Sequence, residues 1–536
     1  GPPYLPFGWM GCLDGWGGPL PQGWIDAHLD LQRKILARER ELGMTPVLQG
    51  FTGHVPPALQ EKFPDAKLHN IRWIEWETSF VDPLEPLFQR VGKLYLDIQT
   101  KELGTDHLYA ADTFIEMSPP SNDPTFLRDM GRSLSETMTA ADPQALWVMQ
   151  GWIFYNNAKF WQPPQSQAFL GGVPNDRMIL LDLFCDVAPV WNKTEAFYGK
   201  PWIWCILPSF GNTVRMSGPL AKINSDLWAA MRDPQRGRLS GIGIIQEGLD
   251  YNPVAFDLMS EMTWRNEPVN LDDWIGQYAL RRYGRPVPEA QEAWKLLVKT
   301  AYNGTFGNSM LITRPRLDPK SSADWPYDRT AFEQAWERLL QCADRLGKVD
   351  TYRYDLANIT RQALANLSRG LHAKIQAAYQ ARDRKTLEPA SREWLELIRG
   401  LDELLASRPE FLLGAWLEDA KRWGTNDLDK RRFEWNARNV LTLWGDRKSS
   451  LHDYAGREWS GLLSGFYLPR WQLFFDRLRQ SLQDDQPLDE TLLDADLQWL
   501  EEQWTHQTEA YPAAPRGDTV KIARKLFEKY HGKTWE

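Results

Sequence analysis

Six short apolar segments, most of them separated by helix-like stretches, constrain the fold of this chain more than any other feature. Continuous apolar runs, rather than alternation, are typical of strands that are buried on both faces. Strands that alternate with helices indicate parallel βα units. The first half of the chain is therefore predicted to be α/β with a parallel sheet. The six predicted strands are 44–51, 107–111, 146–150, 178–184, 202–207 and 240–246.

The strand count bears on how the sheet closes. A closed parallel barrel usually has eight strands, so six indicate either an open sheet or a barrel whose first two βα units precede Gly1. The chain opens with Gly1-Pro2-Pro3, without Met or a signal peptide, which agrees with a processed or truncated product. We therefore expect a (β/α)8-type TIM barrel that lacks its first βα units.

From about residue 265 the apolar spacing becomes helical throughout. We expect two domains: an incomplete TIM-barrel domain over 1–264 and an all-α C-terminal domain over 265–536. Asp518 is predicted to be the N-cap of the last helix. The predicted helices of this domain are 271–283, 331–346, 356–382, 394–406, 409–423, 433–443, 451–478, 492–509 and 519–530.

Composition and charge exclude several classes of function. A net charge of −9 argues against nucleic acid or an anionic membrane as the main partner, and no apolar run is long enough to span a bilayer. The four cysteines lack metal-ligand spacing, and three of them are expected to be buried free thiols. The histidines form no HExxH motif, so no metal is predicted. The sequence also has no glycine-rich phosphate loop, and no cofactor is predicted. The 27 tryptophans suit sugar binding, because flat indole faces pack on sugar rings, but they suit a protein core equally well.

Two glutamates follow predicted strands and are the main candidates for catalysis. Glu116 lies just beyond the strand at 107–111, and Glu247 ends the strand at 240–246. The C-terminal ends of barrel strands carry the catalytic groups of TIM-barrel enzymes, and a pair of carboxylates is what a glycosidase needs. The alternative is that each carboxylate caps a helix or pairs with an arginine.

Other acids and aromatics compete for functional roles. Asp112 and Asp186 also lie near strand ends, and Asp182 interrupts an apolar run, so it should point inward at either a hydrogen-bonding partner or a ligand. No sequence signal separates sugar stacking from core packing for Trp16 and Trp152. Trp204 lies inside a strand, where core packing is favoured, and Trp444 stands alone between helical segments.

Several motifs resemble the α-N-acetylglucosaminidases of glycoside hydrolase family 89, and the resemblance runs collinearly from about residue 4 to the end of the chain. A lysosomal member of that family removes terminal α-linked N-acetylglucosamine from heparan sulfate. The main matching segments are Gly53-His54-Val55-Pro56, Gly104-Thr105-Asp106-His107, Gln150-Gly151-Trp152, Leu181-Asp182-Leu183-Phe184, Leu441-Thr442-Leu443-Trp444-Gly445 and Pro515-Arg516-Gly517-Asp518.

The resemblance implies a retaining exo-glycosidase that acts on a glycan by a two-step mechanism without a cofactor. Glu116 matches the acid/base position and Glu247 the nucleophile position. An extracytoplasmic location (periplasmic, secreted or lysosomal) is implied as well. The candidate substrate contacts are Trp152 and Trp444, which match the family's sugar pocket, together with Phe7, Trp16, Asp182 and Trp204.

Three departures from the family pattern bear on sugar specificity. Ile115 stands where the family has Asn before the acid/base Glu, Pro208-Ser209 replaces a His-Asn pair, and Cys12 replaces an Asn. Each lost hydrogen-bonding partner at a buried polar contact costs about 1–3 kcal/mol. Two alternatives therefore stay open: an exo-α-glycosidase for a different sugar, and a catalytically silent carbohydrate-binding homologue.

Overall fold

The computed structural model describes residues 20–248, 250–318 and 325–535. Within them the chain forms two compact units. The first comprises the chain up to Leu207 together with Ser225–Ile245, and the second comprises Pro208–Asn224 together with the chain from Gln246 onward.

A six-stranded parallel sheet forms the centre of the first unit, as the apolar segments predict. The strand order is β1-β5-β6-β7-β8-β9, and every neighbouring pair is parallel. Both sides of the central strands are largely buried, which explains why their sequences lack polar alternation. The strands are β1 (Leu48–Gln49), β5 (Leu108–Ala110), β6 (Leu146–Gln150), β7 (Met178–Asp182), β8 (Pro201–Ile206) and β9 (Arg238–Ile244).

A second, antiparallel sheet of three strands was not predicted. Its order is β2-β4-β3, with β2 at His54–Val55, β3 at Leu68–Trp73 and β4 at Trp76–Val81. The burial of β3 alternates only over its last four residues, and two residues, Asn70 and Arg72, are polar and exposed. Such a strand lacks a clear period-2 pattern, so its sequence does not distinguish it from a loop.

One helix of the first unit shows clear start and stop signals. Helix α3 starts with Pro86 in its first turn and ends before Gly104, whose φ of 76° is in the left-handed region. The helices that lie wholly or partly in this unit are α1 (Gln22–Glu41), α2 (Leu59–Lys62), α3 (Pro86–Leu103), α4 (Pro124–Ala141), α5 (Trp152–Asn156), α6 (Pro163–Gly171), α7 (Glu195–Tyr198) and α8 (Leu220–Arg232).

The second unit is helical, as predicted from residue 265 onward. Asp518 caps its last helix by accepting hydrogen bonds from the N–H groups of Val520 and Lys521. The helices are α9 (Pro253–Met262), α10 (Leu271–Tyr283), α11 (Pro288–Lys299), α12 (Arg329–Gln341), α13 (Ala343–Leu346), α14 (Asp350–Gln380), α15 (Arg384–Leu405), α16 (Leu413–Arg422), α17 (Asp427–Leu441), α18 (Leu468–Gln483), α19 (Glu490–Thr505) and α20 (Thr519–Tyr530).

The predicted helix over 451–478 is wrong in its first part. Residues 451–455 form turns and 456–459 have no regular secondary structure. The π-helical segment Leu463–Tyr467 precedes α18. Asp453 and Gly456 have φ values of 61° and 54°, which end any helix. Helices α9 and α11 were missed by the sequence analysis.

The cysteines agree with their predicted state. Cys185, Cys205 and Cys342 are buried and free, whereas Cys12 lies outside the described residues. Among the described helices none is both long and apolar enough to cross a membrane.

Candidate active site

Glu116 lies in the segment that follows β5, and nitrogen donors bind both of its carboxylate oxygens. The indole Nε1–H of Trp73 donates to Oε2 over 2.8 Å, and that of Trp152 donates to Oε1 over 2.7 Å. Asn156 adds a longer contact of 3.5 Å to Oε1. Trp73 comes from β3 and Trp152 from α5, so two separate elements fix the orientation of this carboxylate.

Trp73 is the residue of this site that sequence reasoning missed. It is 5% exposed, and its ring stacks on that of Trp76, with 5.2 Å between the centroids and 24° between the planes. Its available signal was the short apolar–polar–apolar run Ile71-Arg72-Trp73.

Two side chains connect the segment that precedes Glu116 to neighbouring elements. Asp112 accepts from the backbone N–H of Gln150 over 2.8 Å and from its side-chain amide over 3.0 Å. Burial raises the pKa of Asp112 to about 6. Burial also lowers the pKa of His54 to about 4, so the His54 imidazole is neutral at pH 7. Its Nε2 lies 2.9 Å from the Thr113 carbonyl, and because a carbonyl only accepts, the proton is on Nε2.

Asp182 contacts backbone groups, as the structural interpretation of its sequence position predicts. It is 2% exposed, and its Oδ2 accepts from the N–H groups of Val190 and Trp191 over 3.0 and 2.8 Å. Burial raises its pKa to about 6. Asp186, also buried, accepts from the N–H of Leu207. A sugar contact for Asp182 stays a prediction.

Trp204 is 1% exposed on β8, and this burial favours core packing. Ile115, the departure beside Glu116, is buried as well.

Phe7 and Trp16, with Cys12, fall outside the described residues, so the predictions made for them stay untested.

Glu247 lies in the second unit and is exposed. Its Oε2 accepts from the phenol of Tyr454 over 2.8 Å and also from the backbone N–H of Gly211. Gly211 belongs to the Pro208–Thr213 loop that departs from the family sequence. Tyr454 lies in the segment that the sequence wrongly predicts to be helical, which is why it was not singled out.

Trp444 lies close to Tyr454 and has an unusual backbone conformation. The two ring centroids are 5.4 Å apart, and Trp444 has a φ of 56°, which costs a non-glycine residue about 1–3 kcal/mol. Asn439, which is 1% exposed, accepts from the N–H of Gly445 and donates to its carbonyl, over 2.9 and 2.7 Å. These contacts maintain the strained turn, and backbone strain of this kind is concentrated at functional sites.

The chemistry of both sites is that of carboxylates and neutral donors. Within the described ranges, no group of three or more His, Cys, Asp or Glu side chains is arranged to hold a metal ion.

The architecture is that of a TIM-barrel glycoside hydrolase: parallel βα units present carboxylates beyond their strand ends, and an all-α unit accompanies them. Two family models match: the alpha-N-acetylglucosaminidase (NAGLU) tim-barrel domain over residues 1–266, and the C-terminal domain of the same family over 274–529. The human alpha-N-acetylglucosaminidase is 39% identical over 545 residues, covering 99% of this chain and 73% of the human protein. The chain therefore belongs to the alpha-N-acetylglucosaminidase family.

Solved structures from Clostridium perfringens are also similar. A family 89 glycoside hydrolase in complex with 2-acetamido-1,2-dideoxynojirimycin matches with a TM-score of 0.88 and 29% identity over 98% of this chain. A variant of that enzyme with two Glu-to-Gln substitutions, in complex with its substrate GlcNAc-α-1,4-galactose, matches with a TM-score of 0.90 and 29% identity over 99% of this chain. The present chain spans 61% of the length of each of these structures.

Proposed function

We propose that this protein is a retaining exo-glycosidase that removes terminal α-linked N-acetylglucosamine from glycans by a double displacement. The observation that carries the proposal is that Glu116 and Glu247 are each oriented by neutral hydrogen-bond donors. Family membership supports this activity, since the human relative is an alpha-N-acetylglucosaminidase.

Glu116 is proposed to be the acid/base. A carboxyl group has about four lone-pair positions, and the indoles of Trp73 and Trp152 occupy one on each oxygen. The remaining positions can hold the proton that Glu116 gives to the leaving oxygen and then takes from water. Because indole N–H groups do not titrate in water, they orient the carboxyl without competing for that proton.

Glu247 is proposed to be the nucleophile. Tyr454 and Gly211 both donate to Oε2 and orient the carboxylate, and its sequence position matches the nucleophile position of the family. This carboxylate is proposed to attack at the anomeric carbon. The glycosyl–enzyme ester that results is then hydrolysed by the water that Glu116 activates.

N-acetylglucosamine is the sugar that the relatives favour. The Clostridium perfringens enzyme was captured with GlcNAc-α-1,4-galactose, and we extend that specificity to this chain. Trp152 and Trp444 are the aromatic residues proposed to contact the sugar. An extracytoplasmic location is part of the same proposal.

Turnover of 4-nitrophenyl N-acetyl-α-glucosaminide by the full-length protein tests the proposal, with Glu116→Gln and Glu247→Gln measured beside it. We expect both substitutions to abolish cleavage and the first product to keep the α configuration by NMR. A retaining enzyme also requires the two carboxyl groups to lie about 5–5.5 Å apart, which a crystal structure with a bound inhibitor would measure. An inverted product, or turnover that survives Glu247→Gln, would contradict it.

A further inference from the structure

We propose that Arg457 is a positioning residue for Glu247, because it joins two chain segments that each supply a hydrogen bond to that carboxylate. The inference rests on the proposed role of Glu247 as nucleophile. It adds a residue that does not contact the carboxylate and that no sequence motif singled out.

One nitrogen of Arg457 binds both segments. Its Nη1 donates to the carbonyl of Gly211 over 2.8 Å and to that of Ala455 over 3.2 Å. Gly211 then gives its own N–H to Oε2 of Glu247, and Tyr454, the neighbour of Ala455, gives its phenol to the same oxygen. Each donor to Glu247 is therefore fixed by a residue that Arg457 binds directly.

The two segments are also packed tightly against each other. Gly211 has a φ of 58°, and a Cβ at this position would lie 2.6 Å from the Tyr454 carbonyl oxygen and 3.2 Å from Cα of Ala455. No side chain fits there without a backbone shift. Because the segments are in contact, a change in one of them displaces the donor on the other.

Aromatic rings, rather than a carboxylate, surround the guanidinium. Arg457 is 7% exposed, and its Cζ lies 5.9 Å from the ring centroid of Tyr251 and 5.2 Å from that of Trp459. Burial lowers the pKa of this guanidinium. Across the described ranges, no ion pair joins Arg457 to a carboxylate, whereas other buried arginines such as Arg361 and Arg470 have such partners.

Arg457 also influences Glu247 electrostatically, more weakly than it influences Tyr251, Asp250 and Tyr467. The charged and titratable groups with the largest influence on Arg457 are, in decreasing order, Tyr251, Asp250, Tyr467 and Glu247. Of these, Glu247 is the carboxylate whose donors Arg457 also fixes. A positive charge nearby favours the ionised form of a carboxylate, which is the form that a nucleophile requires.

The test uses Arg457→Gln and Arg457→Lys in the full-length protein, with Arg438→Gln as the matched control. Arg438 is fully buried and its Cζ lies over the rings of Trp504 and Tyr511, but it is paired with Glu434 and does not contact Gly211 or Ala455. Because Arg438→Gln also leaves Glu434 without its ion-pair partner, it should lose at least as much stability as Arg457→Gln, and it therefore controls for a general loss of stability.

Two measurements test the proposed role of Arg457. Hydrogen exchange by mass spectrometry should become faster in segments 208–213 and 453–457 of Arg457→Gln, while Arg438→Gln leaves both segments protected. The kcat/KM of Arg457→Gln should fall on the order of 10²-fold, and the acidic limb of its pH profile should move upward by about one pH unit. Arg457→Lys keeps the charge, so its acidic limb should stay close to that of the parent protein.

The possible outcomes distinguish a failure of the proposed role of Arg457 from a failure of the proposed function. Unchanged exchange in both segments, or an acidic limb that moves equally in Arg457→Gln and Arg438→Gln, would overturn the role of Arg457. A parent protein that cleaves no N-acetyl-α-glucosaminide would contradict the proposed function instead, and the exchange measurement would still decide whether Arg457 fixes the two segments.

Discussion

The indole N–H of Trp73 donates to Oε2 of Glu116 over 2.8 Å, although 43 residues separate the two in the chain. The antiparallel sheet makes this contact possible, because β3 ends at Trp73. A small sheet that follows β1 in sequence thus supplies one of the two indoles that orient the proposed acid/base.

Trp73→Phe should lower kcat/KM by about 10- to 100-fold, since a hydrogen bond to a charged group contributes about 1.5–3 kcal/mol. The ring is kept, so its stacking on Trp76 should largely persist. Trp76→Phe is the control, because it alters the same stack without removing a donor to Glu116. The contact would have no catalytic role if the two variants were equally active.

Much of the fold could be predicted because buried parallel strands have continuous apolar sequences. All six strands of the parallel sheet and both candidate carboxylates were found in this way. Local signals also determined boundaries: Pro86 and Gly104 delimit α3, and Asp518 caps α20. These features depend on residues close together in the chain, so a single sequence contains them.

The remaining parts of the site depend on contacts between distant residues. Tyr454 was missed because helical spacing continues through 451–478, whereas the structure holds Asp453 in a left-handed conformation. Arg470 does this with two hydrogen bonds, from Nη1 and Nη2, to the Asp453 carboxylate over 2.8 and 2.9 Å. A buried ion pair of this kind outweighs the local helical preference, and nothing in the spacing reveals it.

Asp182→Asn should change how stability depends on pH. The folded-state pKa of Asp182 is about 6, above its ordinary value of 3.8, so the folded protein binds this proton more tightly than the unfolded chain does. The protonated Asp182 carboxyl therefore stabilises the fold fully below about pH 4, and this stabilisation is lost as the pH rises through 6. The amide oxygen of Asn can still accept from Val190 and Trp191.

The expected result is that Asp182→Asn matches the parent protein at pH 4 and exceeds its free energy of unfolding by up to about 3 kcal/mol at pH 7. Urea unfolding of both proteins between pH 4 and pH 8 measures the difference. A constant difference across that range would show that Asp182 does not titrate there.

Asn439→Ala should release the strained turn at Trp444. Both hydrogen bonds to Gly445 are lost, which should cost about 1–3 kcal/mol of stability. If Trp444 contacts the sugar, KM should also rise by about tenfold, equivalent to 1.4 kcal/mol of binding free energy. Kinetics and urea unfolding on the same samples separate the two effects.

The control for that variant is Asn436→Ala in the same helix. Asn436 is also buried, but its side chain donates within the helix, to the Arg432 carbonyl. It should therefore lose stability without a change in KM. A KM that rises equally in both variants would mean that the turn at Trp444 does not shape the sugar site.

Of the four sequons in the chain, only Asn192 and Asn303 should carry glycans when the protein is produced through a eukaryotic secretory pathway. Both residues are exposed, whereas Asn358 and Asn366 are each 2% exposed inside α14. The Nδ2 of Asn366, the atom to which a glycan attaches, already donates to the Tyr327 hydroxyl over 2.8 Å. A bulky, hydrated glycan does not fit among buried side chains. Glycopeptide mapping of the folded protein should therefore find Asn358 and Asn366 unmodified. A glycan on either residue would show that α14 is more exposed than in the structure.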